Sequence, residues 1–549
     1  MINAVAVLDT LEGIRTWDRL ESTMHVLMLA AENDGIPEAK VGGIGDVVRD
    51  VPPALAALPG EDLRVTVVVP SYGFLHIRPG AWEIGSVGMD FAGARRQVTA
   101  FEVPGRKPDP KVRHVVLDCP LFEALHPVTG HRTIYLDDQP LRPFATDATR
   151  FAAFCLAAAE AIKLGLFGGI DCLHLHDWHA AFVLVLRELD PAFGFLRQFR
   201  TVFTIHNLGL QGVRPLRGDP SSLETWYPHL APALATEHPA IEDPEWPGCI
   251  NPMAVGIRWA DAVHAVSPSY AEEILLPSRT PDFFGGERLQ GILQAAADAG
   301  RLVGILNGCE YPDRPVRKLT WPDLLARLRS EVLGWVAKDK KVALVHFLAL
   351  ERMTDLARRR PKLVATGVTR VVQQKSLLLL AKGSSGATGL ESVLESLGDD
   401  GVLLLLGTGD PVYEAFLLEM AGRHSNFVFL NGFSNACAEC LYANGDAFIM
   451  PSSYEPCGIS QMLALREGQP VIAHNVGGLK DTVREGRNGF VFEGWFMNEQ
   501  VDGLVDACRR AINLKTQHPG AWRKLVGQAG KERFLWSESA RQYMEKLYR

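Results

Sequence analysis

Apolar runs at 63–70, 114–118, 172–175, 201–205, 262–266 and 302–306, preceded by a strand-like His25–Ala30, alternate with helical patterns along the first half of the chain. The clearest helix between them runs from Thr149 to Lys163. The second half repeats the alternation with apolar runs at 362–368, 402–406, 427–430, 447–450 and 470–473. Strands alternating with helices predict an α/β protein whose parallel sheets are covered on both faces. Between the halves, residues 312–361 are rich in Arg, Lys and Asp, and Trp321 through Met353 is patterned as helix. The inter-domain boundary is predicted there.

Three of these strand ends carry chemistry. The run Ala447–Met450 leads into Pro451-Ser-Ser-Tyr-Glu455-Pro456-Cys457-Gly458 and then the amphipathic stretch from Met462. Pro456 would pre-set a first helical turn, so the Cys457 and Gly458 amides would point above the strand ends with Glu455 beside them. Upstream, the strand 362–368 runs into Thr369-Arg370-Val-Val-Gln-Gln-Lys375, and two cations leave one strand end. In an open α/β sheet, ligands bind outside the carboxyl ends of the strands, which predicts one crevice for Arg370, Lys375 and Glu455. A guanidinium fork and an ammonium suit phosphate oxygens. The third element is the glycine-rich turn Lys40-Val-Gly42-Gly43-Ile-Gly45-Asp46, where the backbone can approach a ligand closely. It matches neither the dinucleotide fingerprint nor a P-loop.

Composition narrows the field. At 549 residues the chain exceeds a single core and predicts two domains. The apolar fraction of 47% and charged fraction of 22% are globular values. A formal charge of −8 without a broad basic stripe argues against a nucleic-acid partner. The longest apolar runs, such as Val402–Leu406, are far too short to span a membrane. The first residues carry no secretory pattern, and nine dispersed cysteines fit reduced thiols, so a cytoplasmic location is expected. Cys437-Ala-Glu-Cys440 reads as two buried thiols on a helix, with metal or redox use as the other option. His174, His176, Asp177 and His179 offer ligand-compatible spacing. Polar groups for ligand hydroxyls at a strand end are the competing and stronger reading, so no metal site is expected.

The ordered set Lys40-Val-Gly-Gly-Ile-Gly-Asp-Val, His176-Asp-Trp-His179, Thr204-Ile-His-Asn-Leu208, Gly304-Ile-Leu-Asn-Gly308, Thr369 to Lys375, Gly407-Thr-Gly-Asp-Pro411 and Glu455-Pro-Cys-Gly458 resembles bacterial glycogen synthases and plant starch synthases. Gly477-Gly-Leu-Lys-Asp-Thr-Val483 and the closing Trp536 to Tyr543 extend the resemblance, which runs from about residue 24 to the carboxyl terminus. It implies a GT-B glycosyltransferase, with two Rossmann-like domains facing across a cleft. The implied reaction moves glucose from ADP-glucose to the non-reducing end of an α-1,4-glucan with retention at the anomeric carbon. No cofactor beyond the donor substrate is implied.

Carried over by motif position, Arg370 and Lys375 resemble the pair that grips the diphosphate, and Glu455 and His206 the remaining catalytic groups. Lys40, Gly43, Asp46, Asp177, Asn207, Asn307, Cys457 and Gly458 fall at substrate-binding positions. Phe433 aligns with the ring that lies against adenine, and Tyr442 would line the same pocket. The implied domains are an extension at 1–23, an acceptor-side domain at 24–311, a variable segment at 312–361 and a donor-side domain at 362–530. A closing helix at 531–549 would pack back on the first domain. The family pattern is also departed from at Ser376, and the departures at Pro252-Met-Ala254 and Cys309-Glu310 keep UDP-glucose or another acceptor open. A non-catalytic glucan-binding protein, the third reading, would need loss of Lys40, Arg370, Lys375 or Glu455, all of which are present. No segment stands out as a Schiff-base lysine site for a phosphorylase. Oligomeric state is not legible.

Overall fold

A computed structural model of the chain describes residues 23–127, 130–136, 138, 141–235, 239–312, 316–339 and 343–549. The predicted extension at 1–23 lies outside the described residues apart from Thr23. The chain divides into two compact units. Unit 1 holds the chain up to Val266 together with Gly286–Ile305 and Trp536–Arg549, and unit 2 holds Ser267–Gly285 and Leu306–Leu535.

Among the described residues, eleven strands belong to unit 1. They are β1 (Met24–Leu29), β2 (Leu63–Pro70), β3 (Trp82–Phe91), β4 (Ala94–Glu102), β5 (Val112–Asp118), β6 (Cys172–His176), β7 (Arg200–Ile205), β8 (Arg214–Pro215), β9 (Cys249–Ile250), β10 (Ala262–Ala265) and β11 (Leu302–Gly304). Nine form one sheet in the order β11-β10-β7-β6-β1-β2-β5-β4-β3, while β8 and β9 pair separately. The sheet is parallel from β11 to β5. Strands β4 and β3 then add antiparallel. The central strands are apolar on both faces: Val26, Leu27, Met28 and Leu29 are all buried. The helix Ala145–Lys163 packs nearly its whole circumference into this core.

The β3–β4 hairpin is absent from the sequence expectation. Its strands alternate buried and exposed positions instead of forming continuous apolar runs. Its two-residue turn, Ala92-Gly93, has both φ values positive, at 51° and 72°. That geometry matches the strand twist of a tight hairpin, but it lacks the usual Asn-Gly or Asp-Gly signature.

Unit 2 is built on β12 (Leu363–Val368), β13 (Gly401–Gly407), β14 (Phe427–Asn431), β15 (Ala447–Met450), β16 (Val471–His474) and β17 (Gly489–Phe492). All are parallel, in the order β14-β13-β12-β15-β16-β17. Strand order reverses between β12 and β15, which makes their carboxyl ends the topological switch point.

Residues 312–361 correct the domain expectation. Helices Trp321–Asp339 and Leu344–Leu356 bury Leu324, Leu325, Leu328, Val332, Ala349 and Met353 against Val364, Val402, Leu404 and Val428. The segment covers one face of the unit 2 sheet and is not a connector between domains.

Candidate active site

At the switch point of unit 2, β12 ends at Val368, and Arg370 follows in an exposed loop. Lys375 is not in an extended tail: it stands in the first turn of the helix Gln373–Leu380. From there its Nζ donates to Glu455 Oε2. Ser452 Oγ donates to the same oxygen at 3.1 Å. The Lys375 and Glu455 side chains are only 14% and 5% exposed. Burial pushes the Lys375 pKa down, while Glu455 beside it pulls the other way. A carboxylate and an ammonium are thus held desolvated at the strand ends, with the Arg370 charge nearby.

The Glu455 loop departs from expectation. The helix after β15 begins at Ser460, so Pro456 does not start it. The carbonyls that would open a helical ladder accept tertiary donors instead. Glu455 O accepts from Gly478 N at 3.0 Å, and Pro456 O from Ser267 Oγ at 2.6 Å. The Gln461 amide serves Cys457 O at 3.0 Å and Gly458 O at 3.1 Å. Gly458, at φ 77°, cannot be helical. The Cys457 and Gly458 amides are therefore loop donors, and among the described residues neither has an acceptor.

What presses this loop into place is the pair Gly477-Gly478. A Cβ at Gly478 would lie 2.3 Å from Cys457 O, and one at Gly477 would lie 2.0 Å from Glu455 O. The Gly477 amide donates to both oxygens of Glu273, at 2.8 and 2.9 Å. Burial raises the Glu273 pKa to about 7 against that amide. Nothing in the local pattern marks Glu273, whose partner is 204 residues away. Asn307, placed in unit 2 and not in the first domain, is buried, with Oδ1 unpartnered among the described residues. Its backbone meets the Cys457 thiol.

Phe433 is 71% exposed in the loop after β14. Tyr442 corrects its expected role. It is 4% exposed in the core of unit 2. Its ring lies 5.5 Å from that of Phe448, and its hydroxyl donates to Ser460 Oγ at 3.1 Å. The helix Asn435–Asn444 turns this position onto β15, so the ring packs inward, tilted against Phe448.

In unit 1, Lys40 Nζ donates to Asp46 Oδ1 at 2.6 Å and lies 3.9 Å from Asp34. Arg49 shares Asp46 at 3.1 Å. The glycine-rich turn is organised by a residue the sequence did not mark, buried Glu32. Its Oε2 accepts from Val41 N at 2.6 Å and Gly42 N at 2.5 Å, and its Oε1 from the Tyr135 hydroxyl at 2.7 Å. A Cβ at Gly43 would meet nothing within 4 Å, so the protein itself leaves open space there.

The ends of β6 and β7 form the second cluster. Asp177 adopts φ 56° and accepts from His206 N at 2.7 Å. Burial raises its pKa to about 8, and the amides of His206 and Asn207 oppose that rise. Asn207 Oδ1 accepts from Gly209 N at 3.0 Å and braces the following turn. His206 Nε2 sits 2.9 Å from His176 Nδ1. Both nitrogens of His174 are engaged, by Tyr548 and Thr204. No group of three His, Cys, Asp or Glu among the described residues is arranged to hold a metal ion. Cys437 is buried, Cys440 half-buried, and both are free thiols on one helix.

Known proteins share this arrangement of chain and fold. The profile of the starch synthase catalytic domain matches residues 25–295, and that of glycosyl transferases group 1 matches residues 362–513. A glycogen synthase from Gloeobacter violaceus is 32% identical, over 96% of this chain and 98% of its own length. One from Lactiplantibacillus plantarum is 33% identical, over 94% and 98%. Among solved structures, the catalytic domain of starch synthase IV from Arabidopsis thaliana, bound to ADP and acarbose, matches with a TM-score of 0.71. It is 25% identical and covers 96% of this chain and 99% of that one. Sucrose-phosphate synthase from Thermosynechococcus elongatus, at 20% identity and a TM-score of 0.52 over 96% and 98%, shares the fold. With two α/β units, a topological switch point in the second and near-full-length relatives, the chain belongs to the glycogen and starch synthase family of GT-B glycosyltransferases.

Proposed function

We propose that this enzyme transfers glucose from ADP-glucose to the non-reducing 4-hydroxyl of an α-1,4-glucan, with retention of anomeric configuration. The observation that carries the reading is the desolvated Lys375–Glu455 pair beside Arg370 at the carboxyl ends of β12 and β15. Cleaving a glucosyl–phosphate bond leaves negative charge on the departing nucleotide and positive charge on the anomeric carbon. Fixed cations and amide donors answer the first, and a carboxylate answers the second. Arg370, Lys375 and the open amides of Cys457 and Gly458 are the leaving-group partners, and Glu455 is the electrostatic one. In unit 1, Lys40, Asp46 and His206 are the sugar-side groups. Transfer proceeds on the front face, with the departing phosphate oxygen taking the acceptor proton, and needs no divalent ion.

A neutral polymer acceptor fits a chain without a basic stripe, and nine free cysteines support a cytoplasmic site of action. The deciding experiment supplies purified protein with labelled ADP-glucose or UDP-glucose, plus glycogen, in the presence of a chelator. Label in the polymer from ADP-glucose is expected. Preference for UDP-glucose would overturn the donor, label from neither would overturn catalysis, and a trapped glucosyl ester on Glu455 would overturn the front-face route.

A further inference from the structure

The interior of unit 1 between β6, β7 and β10 carries a row of hydrogen bonds whose proton order follows from one carbonyl. His264 Nε2 lies 3.3 Å from Ile305 O. A carbonyl only accepts, so that nitrogen bears the hydrogen. Burial keeps His264 neutral by lowering its pKa to about 4, and its Nδ1 then offers a lone pair. Thr204 Oγ1 donates to it at 3.0 Å. Having used its one hydrogen, the hydroxyl accepts from His174 Nε2 at 2.6 Å. His174 Nδ1 is left an acceptor and takes the hydrogen of the Tyr548 hydroxyl at 2.8 Å.

A second pair of imidazoles leans on this row. The His174 and His176 rings stack with centroids 4.3 Å apart and planes 21° apart. One hydrogen lies between His176 Nδ1 and His206 Nε2, which are 2.9 Å apart. The remaining nitrogen of His176, Nε2, is buried without a partner among the described residues. An unpaired buried N–H is rarer in folded proteins than an unpaired acceptor. The hydrogen therefore sits on His176 Nδ1 and is donated to His206, whose own hydrogen is placed on Nδ1.

We propose that His176 and Tyr548 are positioning residues for His206 as an Nδ1–H donor: His176 sets it by its hydrogen bond, and Tyr548, with Thr204, anchors the His174 ring against which the His176 ring is stacked. This rests on the reading of His206 as a sugar-side group. Under it, His206 holds a substrate oxygen as a donor and does not act as a base. Neither positioning residue needs to reach the substrate; each acts through His206.

Histidine-selective nitrogen-15 labelling of the full chain reads the tautomers. His264 and His174 are expected as Nε2–H, and His176 and His206 as Nδ1–H. Thr204→Val deletes the central hydroxyl and Thr204→Ser keeps it. The Val variant is expected to shift the His174 and His206 resonances and to lower kcat on the order of tenfold, with donor KM changed by less than about twofold. The Ser variant should restore both, and Tyr548→Phe should act in the same direction as Val if the Val variant does not fold. An Nε2–H tautomer for wild-type His206 would overturn the proton order, and variants with unshifted His206 resonances would overturn the link from Tyr548 through His174. Shifted resonances with unchanged kcat would overturn the sugar-side place of His206, while polymer labelling by the wild type would stand as a separate result.

Discussion

At the scale of single residues, the two cations of unit 2 have different surroundings and should fail differently. Arg370 is exposed, whereas Lys375 neutralises a carboxylate that is itself buried. Arg370→Ala should lower kcat by roughly 10²–10³, as loss of a leaving-group donor does, with thermal stability unchanged. Lys375→Ala should lower kcat and also destabilise unit 2 by about 3–5 kcal/mol, because it strands the Glu455 charge. Paired kinetics and melting measurements separate the two outcomes, and equal stability of both variants would contradict the buried pair. Asp177 gives a pH prediction. Its folded pKa of about 8 is raised from 3.8, so the folded state holds the extra proton between those values. The stability it contributes is full below about 4 and is lost as pH rises through about 8. Asp177→Asn keeps an oxygen for the His206 amide, so denaturation of the variant should depend less on pH across that window. Arg370, Lys375 and Glu455 were legible because each follows a recognisable strand end. Glu273 and Tyr548 were not, since their partners lie 204 and 374 residues away in the chain, and Glu32 was not, since its bonds to the Val41 and Gly42 amides depend on how the turn folds back on it.

At the scale of elements, the Glu455 loop and the Gly477–Thr482 helix behave as one assembly, joined by the Gly478 amide on Glu455 O and by backbone contact too close for any side chain. Gly478→Ala places a methyl group 2.3 Å from Cys457 O, against backbone that cannot rotate aside. The loop must shift, which should cost about 1–3 kcal/mol of stability and displace Glu455 from its partners. Activity should fall more steeply than melting temperature, and a variant with unaltered kcat would show that the loop position is not critical. Gly486→Ala is the control for a glycine with no atom within 4 Å of its Cβ, although its φ of 67° brings strain of its own. Continuous apolar runs made the parallel strands readable. The same criterion passed over the alternating β3–β4 hairpin and the short β17, while Pro456 set the expected helix after β15 four residues early. Local propensity favoured Pro456 as a helix start, while the carbonyls there were committed to Ser267 and Gly478, which only the fold brings near.

At the scale of the molecule, two α/β units were legible, but the excursion of Ser267–Gly285 into the second was not. The chain passes between units four times: unit 2 takes Ser267–Gly285 out of the first half, and unit 1 takes back Trp536–Arg549. The second exchange is structural for unit 1, since Trp536, Tyr543, Leu547 and Tyr548 are buried in it. Trp536 Nε1 donates to Asp50 at 3.0 Å, and Arg200 Nε donates to Leu547 O at 2.5 Å. Burying one such side chain is worth about 1.5–3 kcal/mol, so four bring roughly 6–12 kcal/mol. That is comparable to the entire stability of an ordinary domain, about 5–15 kcal/mol. Ending the chain at Leu535 should therefore unfold unit 1 and leave the six-stranded unit 2 intact. Calorimetry of the truncated chain should lose the unit 1 transition and keep the other. Protease digestion should spare a core that begins near Ser267 and keeps Ser267–Gly285 with Leu306–Leu535. A truncated chain in which both units melt as in the full-length protein would show that the closing segment is an ornament of unit 1 and not part of its core.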